Sequence, residues 1–188
     1  ALLTLGSSKG TFAALSILVA HAVFKAALFM VVGEVDVRAG TRNINELNGL
    51  RSAMPITFVV AVISAASMAG IPPLLGFPAK EAAIEAALGL SGSELVGIGG
   101  LIIGGSVLTV AYTTRLVIGM FGRGPDPDSP LPVAPRRVAM AGPEVVLAAG
   151  SVLGYVALGW ITDLVRDAGG TLDPGTEAFT LYRWPGLT

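Results

Sequence analysis

The sequence predicts an all-α fold: a polytopic membrane helix bundle with one discontinuous helix broken by prolines. Three observations carry this expectation. The chain is 53% hydrophobic and only 13% charged, against about 25% charged in a typical soluble domain, and its mean hydropathy is +0.74. Its apolar runs approach or exceed the roughly 20 residues that a spanning helix needs. One of them is interrupted by "GIPPLLGFPAKEA", Gly70 to Ala82, where three prolines sit within nine positions of a glycine.

Composition also excludes several function classes. A net charge of −1 offers no basic surface for nucleic acid. The absence of cysteine removes disulfides, iron–sulfur clusters and thiolate metal sites. His21 is the only histidine, which argues against a histidine-based zinc site. No cofactor, metal or catalytic residue is expected. The opening "ALLTLGSSKG" lacks a signal-peptide pattern and reads as the approach to a helix inside a longer membrane protein.

The elements follow in order. Residues 1–122 form the transmembrane core. Its first helix is expected over 12–33. The second covers 53–71 and resumes after the break over 78–90; the third covers 94–121. The glycines of the third suit a membrane helix, and Gly100 and Gly104 would allow close packing. A Pro-rich connection over 123–142 leads to a further helix over 143–162, begun by Pro143, and a polar tail follows over 163–188. Tyr155, Trp160 and Trp184 read as interfacial or packing aromatics.

The basic residues orient these spans. If 53–90 makes one net crossing as two half-helices, the connections 34–52 and 122–142 share a side. They then bring Arg38, Arg42, Arg51, Arg123, Arg136 and Arg137 together, against Lys9, Arg166 and Arg183 opposite. The positive-inside rule makes the Arg-rich side cytoplasmic in a multi-pass protein of the cell membrane.

Charges inside the apolar runs are the functional signal. His21 and Lys25 lie near the middle of the first helix, four residues apart and therefore on one face. A charge at that depth costs about 2.5–3.5 kcal/mol on insertion scales. Snorkelling to Gly33 would span about 12 Å of helix rise, so Lys25 is expected to face protein or water. With a histidine that titrates near neutral pH one turn away, it makes a credible proton-relay step. The structural alternative is an ion pair for Lys25 and a packing role for His21.

The break makes the second such place. Gly70, Pro72 and Pro73 stop one half-helix, Gly76 lies in the gap, and Pro78 suits the first turn of the next. Lys80 stands beside the gap, at a helix N-terminus whose dipole disfavours a cation. Glu81 and Glu85 fall in the first turns, where the same dipole favours an acid. Broken helices at membrane depth commonly line ion sites. The alternative is an interfacial ion cluster of Lys80, Glu81 and Glu85. Arg115 reads as a helix anchor, and Glu144 as an acid at a helix start with no assigned function.

The motifs "HAVFKAALF", the "GTR" loop leading to "LNGL" and an "MP" helix start, and "MAGIPPLLGFPAKE" occur in this order between Ala20 and about Leu90. Here the chain resembles the antiporter-like subunit family shared by respiratory complex I and the multisubunit Mrp-type sodium/proton antiporters. "GTRNI" and the late "LYRWPG" are most similar to the large A-type subunit of the Mrp complex. The resemblance implies inverted five-helix repeats, each with a broken helix, of which this chain holds the second. It implies partner subunits, a lipid bilayer, and transport of protons coupled to sodium. Lys25 and His21 match the lysine and histidine of the family's HAxFKA helix, and Lys80 matches the lysine after the broken helix. Pro78–Ala79 stands where the family usually has an apolar residue and a serine, so a backbone donor and a hydroxyl are lost beside Lys80. Ile17 stands where complex I members often have a further histidine, which leans towards the Mrp type. A proton-translocating subunit of NADH:quinone oxidoreductase or a related hydrogenase is the alternative. A non-transporting scaffold whose buried charges form ion pairs is the third reading.

Overall fold

The computed structural model describes residues 2–47, 49–122, 132–136 and 138–184. Most of the Pro-rich connection, with Arg123 and Arg137, lies outside the described residues, as do Pro185 and Gly186 of "LYRWPG". Among the described residues every regular element is helical: α1 (Ser8–Ala39), α2 (Leu50–Ala53), α3 (Pro55–Ala69), α4 (Gly76–Leu88), α5 (Gly92–Glu94), α6 (Gly100–Phe121), α7 (Val138–Val156) and α8 (Leu158–Gly170). A π-helical turn, Leu95–Gly99, joins α5 to α6. Among the described residues, three helices are long and apolar enough to cross a membrane: Ser8–Ala39, Gly92–Phe121 and Ala139–Val156. The fold is the all-α membrane bundle that the hydropathy predicts.

Helix α1 is the centre, packed by α3, α4, α7 and α8. It is longer than expected. Ser7 caps its start, accepting a hydrogen bond from Gly10 N at 3.1 Å. It runs through Gly33 to Gly40, whose left-handed φ of 72° lets its N–H reach Asp36 O. A lone interior glycine costs only about 1 kcal/mol relative to alanine, and Val31 and Val35 on either side of Gly33 are fully buried. Packing therefore carries the helix past the glycine, and Glu34, Asp36 and Arg38 become helical rather than loop residues.

The break between α3 and α4 satisfies its own backbone. Gly70, at φ 83°, closes a Schellman turn: its N–H bonds Ser67 O, and Ile71 N–H bonds Ala66 O. Leu75 N–H crosses to Ser151 O on α7 at 3.0 Å. Gly76 N–H bonds Ser67 Oγ at 3.2 Å, and that hydroxyl meets Ser151 Oγ at 2.7 Å. These backbone groups beside the prolines thus find protein, as a bilayer requires. Helix α4 begins at Gly76, not Pro78, which sits at its third position. Proline is harmless there too, because the first four N–H groups of a helix have no intrahelical partner.

Two apolar clusters mark the ends of the bundle. One gathers Val31, Val35, Leu50, Met54, Phe121 and Ala148, with Val133 against it; the other gathers Phe12, Leu75, Leu158, Val165 and Leu181. The ends of α1 and α6 and the starts of α3 and α7 therefore share one end. Ala134 N–H also bonds Arg38 O at 2.8 Å, and Arg38 Nε bonds Ala134 O at 2.9 Å. The connections on either side of Arg38 and Ala134 therefore meet.

The last third departs from expectation. Helix α7 begins at Val138, so Pro143 lies inside it rather than starting it. It ends at Val156, and α8 follows after a bend at Ala157. The residues expected as a polar tail instead fold back. Leu158, Thr162, Val165 and Gly169 form one buried stripe of α8 at helical spacing. Phe179 packs on Phe12 at 5.9 Å, and Trp184 stacks on Phe77 at 5.9 Å. Tyr155 Oη donates to Arg183 O, and Trp160 is exposed. Helix α6 packs on α3 but exposes Leu101, Ile103 and Leu108, and nothing lies within 4 Å of the faces of Gly100 or Gly104. Their small size is not used for packing among the described residues.

Candidate functional site

The break and α1 meet α6 around a cavity. His21, Lys80 and Thr109 line it, with Ile17, Phe24 and Met68 as apolar wall, and it encloses about 160 Å³. That is room for several waters at about 30 Å³ each. Residues from three helices far apart in sequence thus converge, two of them ionisable.

Lys80 is the fifth residue of α4 and turns back across the break. Its Nζ donates to Ala69 O at 2.9 Å. The sequence suggests a cation facing the positive end of α4. The ammonium instead lies at the carboxyl end of α3, where the dipole favours a cation. Gly70 makes that possible: a Cβ there would lie 2.6 Å from Lys80 Cδ. Glycine thus serves the break twice, through its φ and through the space it leaves.

His21 is exposed on α1 with its ring centroid 5.2 Å from that of Phe24, edge on. Lys25, one turn on, is half-buried and does not line the cavity. Its Nζ lies 5.1 Å from the centroid of the Tyr112 ring on α6, a cation–π arrangement. Tyr112 in turn lines a second, apolar cavity of about 350 Å³ with Arg42 and Arg115 at its margin. The α1–α6 crevice therefore holds His21 and Lys80, then Lys25 on Tyr112, then two arginines at the Arg-bearing end.

Glu81 and Glu85 stand apart from this. Glu85 pairs with Lys9 of α1 at 3.3 Å, both side chains about two-fifths exposed. Glu81 is half-buried and lines none of the cavities described above. With α4 starting at Gly76, both acids lie beyond its first turn, so the expected dipole complement is lost.

The largest departure is at the other end of the bundle. Glu34 and Glu144 are 1% and 0% exposed, although one reads as a connection residue and the other as a helix-start acid. Thr57 Oγ1 lies 2.9 Å from Glu34 Oε2 and 3.4 Å from Glu144 Oε1. Arg136 contacts both, at 3.5 and 3.0 Å, and Arg38 contacts Glu34 at 3.3 Å. The available signal is two acids within or beside apolar runs, Glu34 with an arginine at i+4. Their partnership spans more than a hundred residues and has no local signature.

Residues 1–109 match the family model described as NADH:quinone oxidoreductase/Mrp antiporter, TM. The Na(+)/H(+) antiporter subunit A1 of Staphylococcus aureus strain JH9 is 43% identical over 116 residues, 58% of this chain and 14% of that protein. The same-named protein of Staphylococcus aureus strain Newman matches equally, at 43% over 116 residues. Among solved structures, a chain in the structure of the Mrp complex from Dietzia sp. DQ12-45-1b aligns with a TM-score of 0.77 and 29% identity. The alignment covers 100% of this chain and 20% of that one. The matched region thus spans about one-seventh of the curated relatives' length.

Proposed function

Because the chain belongs to the NADH:quinone oxidoreductase/Mrp antiporter transmembrane family, we propose that it supplies one ion-conducting half-module of a multisubunit sodium/proton antiporter in the cell membrane. Protons move through water between Lys80, His21 and Lys25, and charge repulsion between these sites couples their movement to sodium passing the other way. The chain is a transporter component working with further subunits, not an enzyme. Its Arg-bearing end faces the cytoplasm.

The observation that carries this reading is the cavity at the helix break, lined by His21 of α1 and Lys80 of α4, with Lys25 one turn along α1. A scaffold reading needs both lysines in ion pairs. Among the described residues Lys25 faces a ring and Lys80 a carbonyl, and neither meets a carboxylate within 4.0 Å. The likeness to the Staphylococcus aureus antiporter proteins and to the Mrp complex chain favours the antiporter over the NADH:quinone oxidoreductase branch.

The test uses the complete complex in everted membrane vesicles. Lys25→Ala is expected to abolish sodium-dependent proton movement at normal assembly; normal activity at normal assembly refutes the role. Glu85→Gln is the contrasting case. An exposed ion pair contributes about 0.2–1 kcal/mol, so this variant should assemble and transport within about fivefold of wild type, since about 1 kcal/mol is a factor of five. A transport loss as deep as that of Lys25→Ala would bring Glu85 into the path.

A further inference from the structure

We infer that Glu34 and Glu144, held together by Thr57 and Arg136, form a proton-holding carboxyl pair that loads the transport path from the Arg-bearing end of the bundle. This rests on the proposed transport function but involves none of the residues assigned to it above.

Burial comes first. Both acids are almost completely removed from solvent, and an isolated buried carboxylate is costly unless it is paired and hydrogen-bonded. Three of the four oxygens are engaged. Glu34 Oε1 meets Arg38 and Arg136, Glu34 Oε2 accepts from Thr57, and Glu144 Oε1 accepts from Arg136 at 3.0 Å. The fourth, Glu144 Oε2, is buried with no partner among the described residues. A protein does not normally leave a carboxylate oxygen so. A proton on that oxygen neutralises the group and removes most of the desolvation cost. Among the described residues, the charged groups facing the pair are Arg38 of α1 and Arg136 before α7; α3 contributes the hydroxyl of Thr57.

The ligand is a proton rather than a metal cation. Two guanidinium groups already contact these carboxylates, so a sodium ion would meet two like charges. A proton adds to Glu144 Oε2 as a covalent O–H bond, taken from hydronium or water, and leaves by the same bond. Water has a place to come from. A cavity of about 230 Å³ is lined by Arg38, Thr57 and Arg136 with Met54 and Pro55.

The inward direction is set by α3. Thr57, Ser64 and Ser67 are its buried hydroxyls. Ser64 Oγ is buried without a partner among the described residues. Ser67 Oγ meets Ser151 and the N–H of Gly76 at the break, close in sequence to the Ala69 carbonyl that holds Lys80. The rise from Thr57 to Ser64 is about 10 Å, longer than a hydrogen bond, so transfer along it requires mobile water.

The test is made in the complete complex with Glu144→Gln. This variant keeps the shape and the Oε1 acceptor for Arg136 but cannot hold a proton at the second oxygen. Antiport is expected to fall about tenfold or more with an altered pH profile, the scale of one unit of proton affinity. A clamp role alone would leave the profile unchanged. Infrared difference spectra of the wild-type complex between alkaline and acidic buffer should show a buried carboxyl C=O band, absent in Glu144→Gln and shifted in Glu144→Asp. Wild-type antiport at every pH in assembled Glu144→Gln overturns the inference, as does a wild-type spectrum without that band. If Glu144→Gln does not assemble, the wild-type and Glu144→Asp spectra decide alone. Lys25→Ala in the same assay separates the two claims. If it is inactive while Glu144→Gln is normal, only the carboxyl pair fails; if it is fully active, the transport reading fails.

Discussion

Gly76→Ala is expected to leave little or no assembled complex. A Cβ at this position would overlap Ser67 O and lie 2.7 Å from Ser67 C. Both are backbone atoms in the last turn of α3, so no side chain can rotate away. Overpacking a well-packed core costs about 1–3 kcal/mol when neighbours can shift. Here the neighbour is the Schellman turn that ends α3, and moving it breaks several bonds together. Ser67 O accepts from Gly70, Ser67 Oγ accepts from Gly76, and the same hydroxyl reaches Ser151 on α7. Much of a domain's net stability, about 5–15 kcal/mol, would be at stake at one methyl group. The check is the yield of subunit in the purified complex. Near-normal yield would mean that α3 and α4 do not meet as closely as described.

Lys80→Ala is expected to abolish antiport in a complex that still assembles. The lysine has two separable roles. Its stem fills the space over Gly70, and its ammonium bonds Ala69 O at the end of α3. Losing the second leaves the Ala69 carbonyl at the end of α3 without this bond, at a cost of about 1 kcal/mol. That is small beside the stability of the bundle, so assembly should survive. Losing the charge removes one of the two ionisable groups lining the cavity. Lys80→Arg would retain the charge but not the ability to release a proton at accessible pH. It should assemble and fail to transport, which distinguishes proton exchange from simple charge balance.

Much of this site is legible in the sequence because its signals are local. Pro72 and Pro73 cannot continue a helix, and Gly70 is free to take the left-handed turn that ends one. Lys25 is legible because a charge amid apolar residues stands out at any register. The parts that are not legible depend on contacts between distant segments. Gly33 suggests a helix end, yet the buried valines around it carry α1 on and draw Glu34 inside. Pro143 suggests a helix start. The segment before it is tied to the bundle by Arg136 and Ala134, so α7 begins earlier. Thr162 and the charges around it disguise the buried stripe of α8, because a threonine whose hydroxyl bonds Leu158 O is buried at little cost. The direction of Lys80 is hidden for a related reason. Proximity to one helix start is visible in the sequence, whereas the side chain's reach back to the preceding helix end is not.

The proposed path requires that a proton pass the cavity beside the break, and this can be measured directly. The purified complete complex is reconstituted in liposomes, a sodium gradient is imposed, and internal pH is followed for the wild type and for Lys80→Ala at equal protein content. The path predicts a sodium-driven pH change in the wild type and none in the variant. An undiminished change in Lys80→Ala would contradict it.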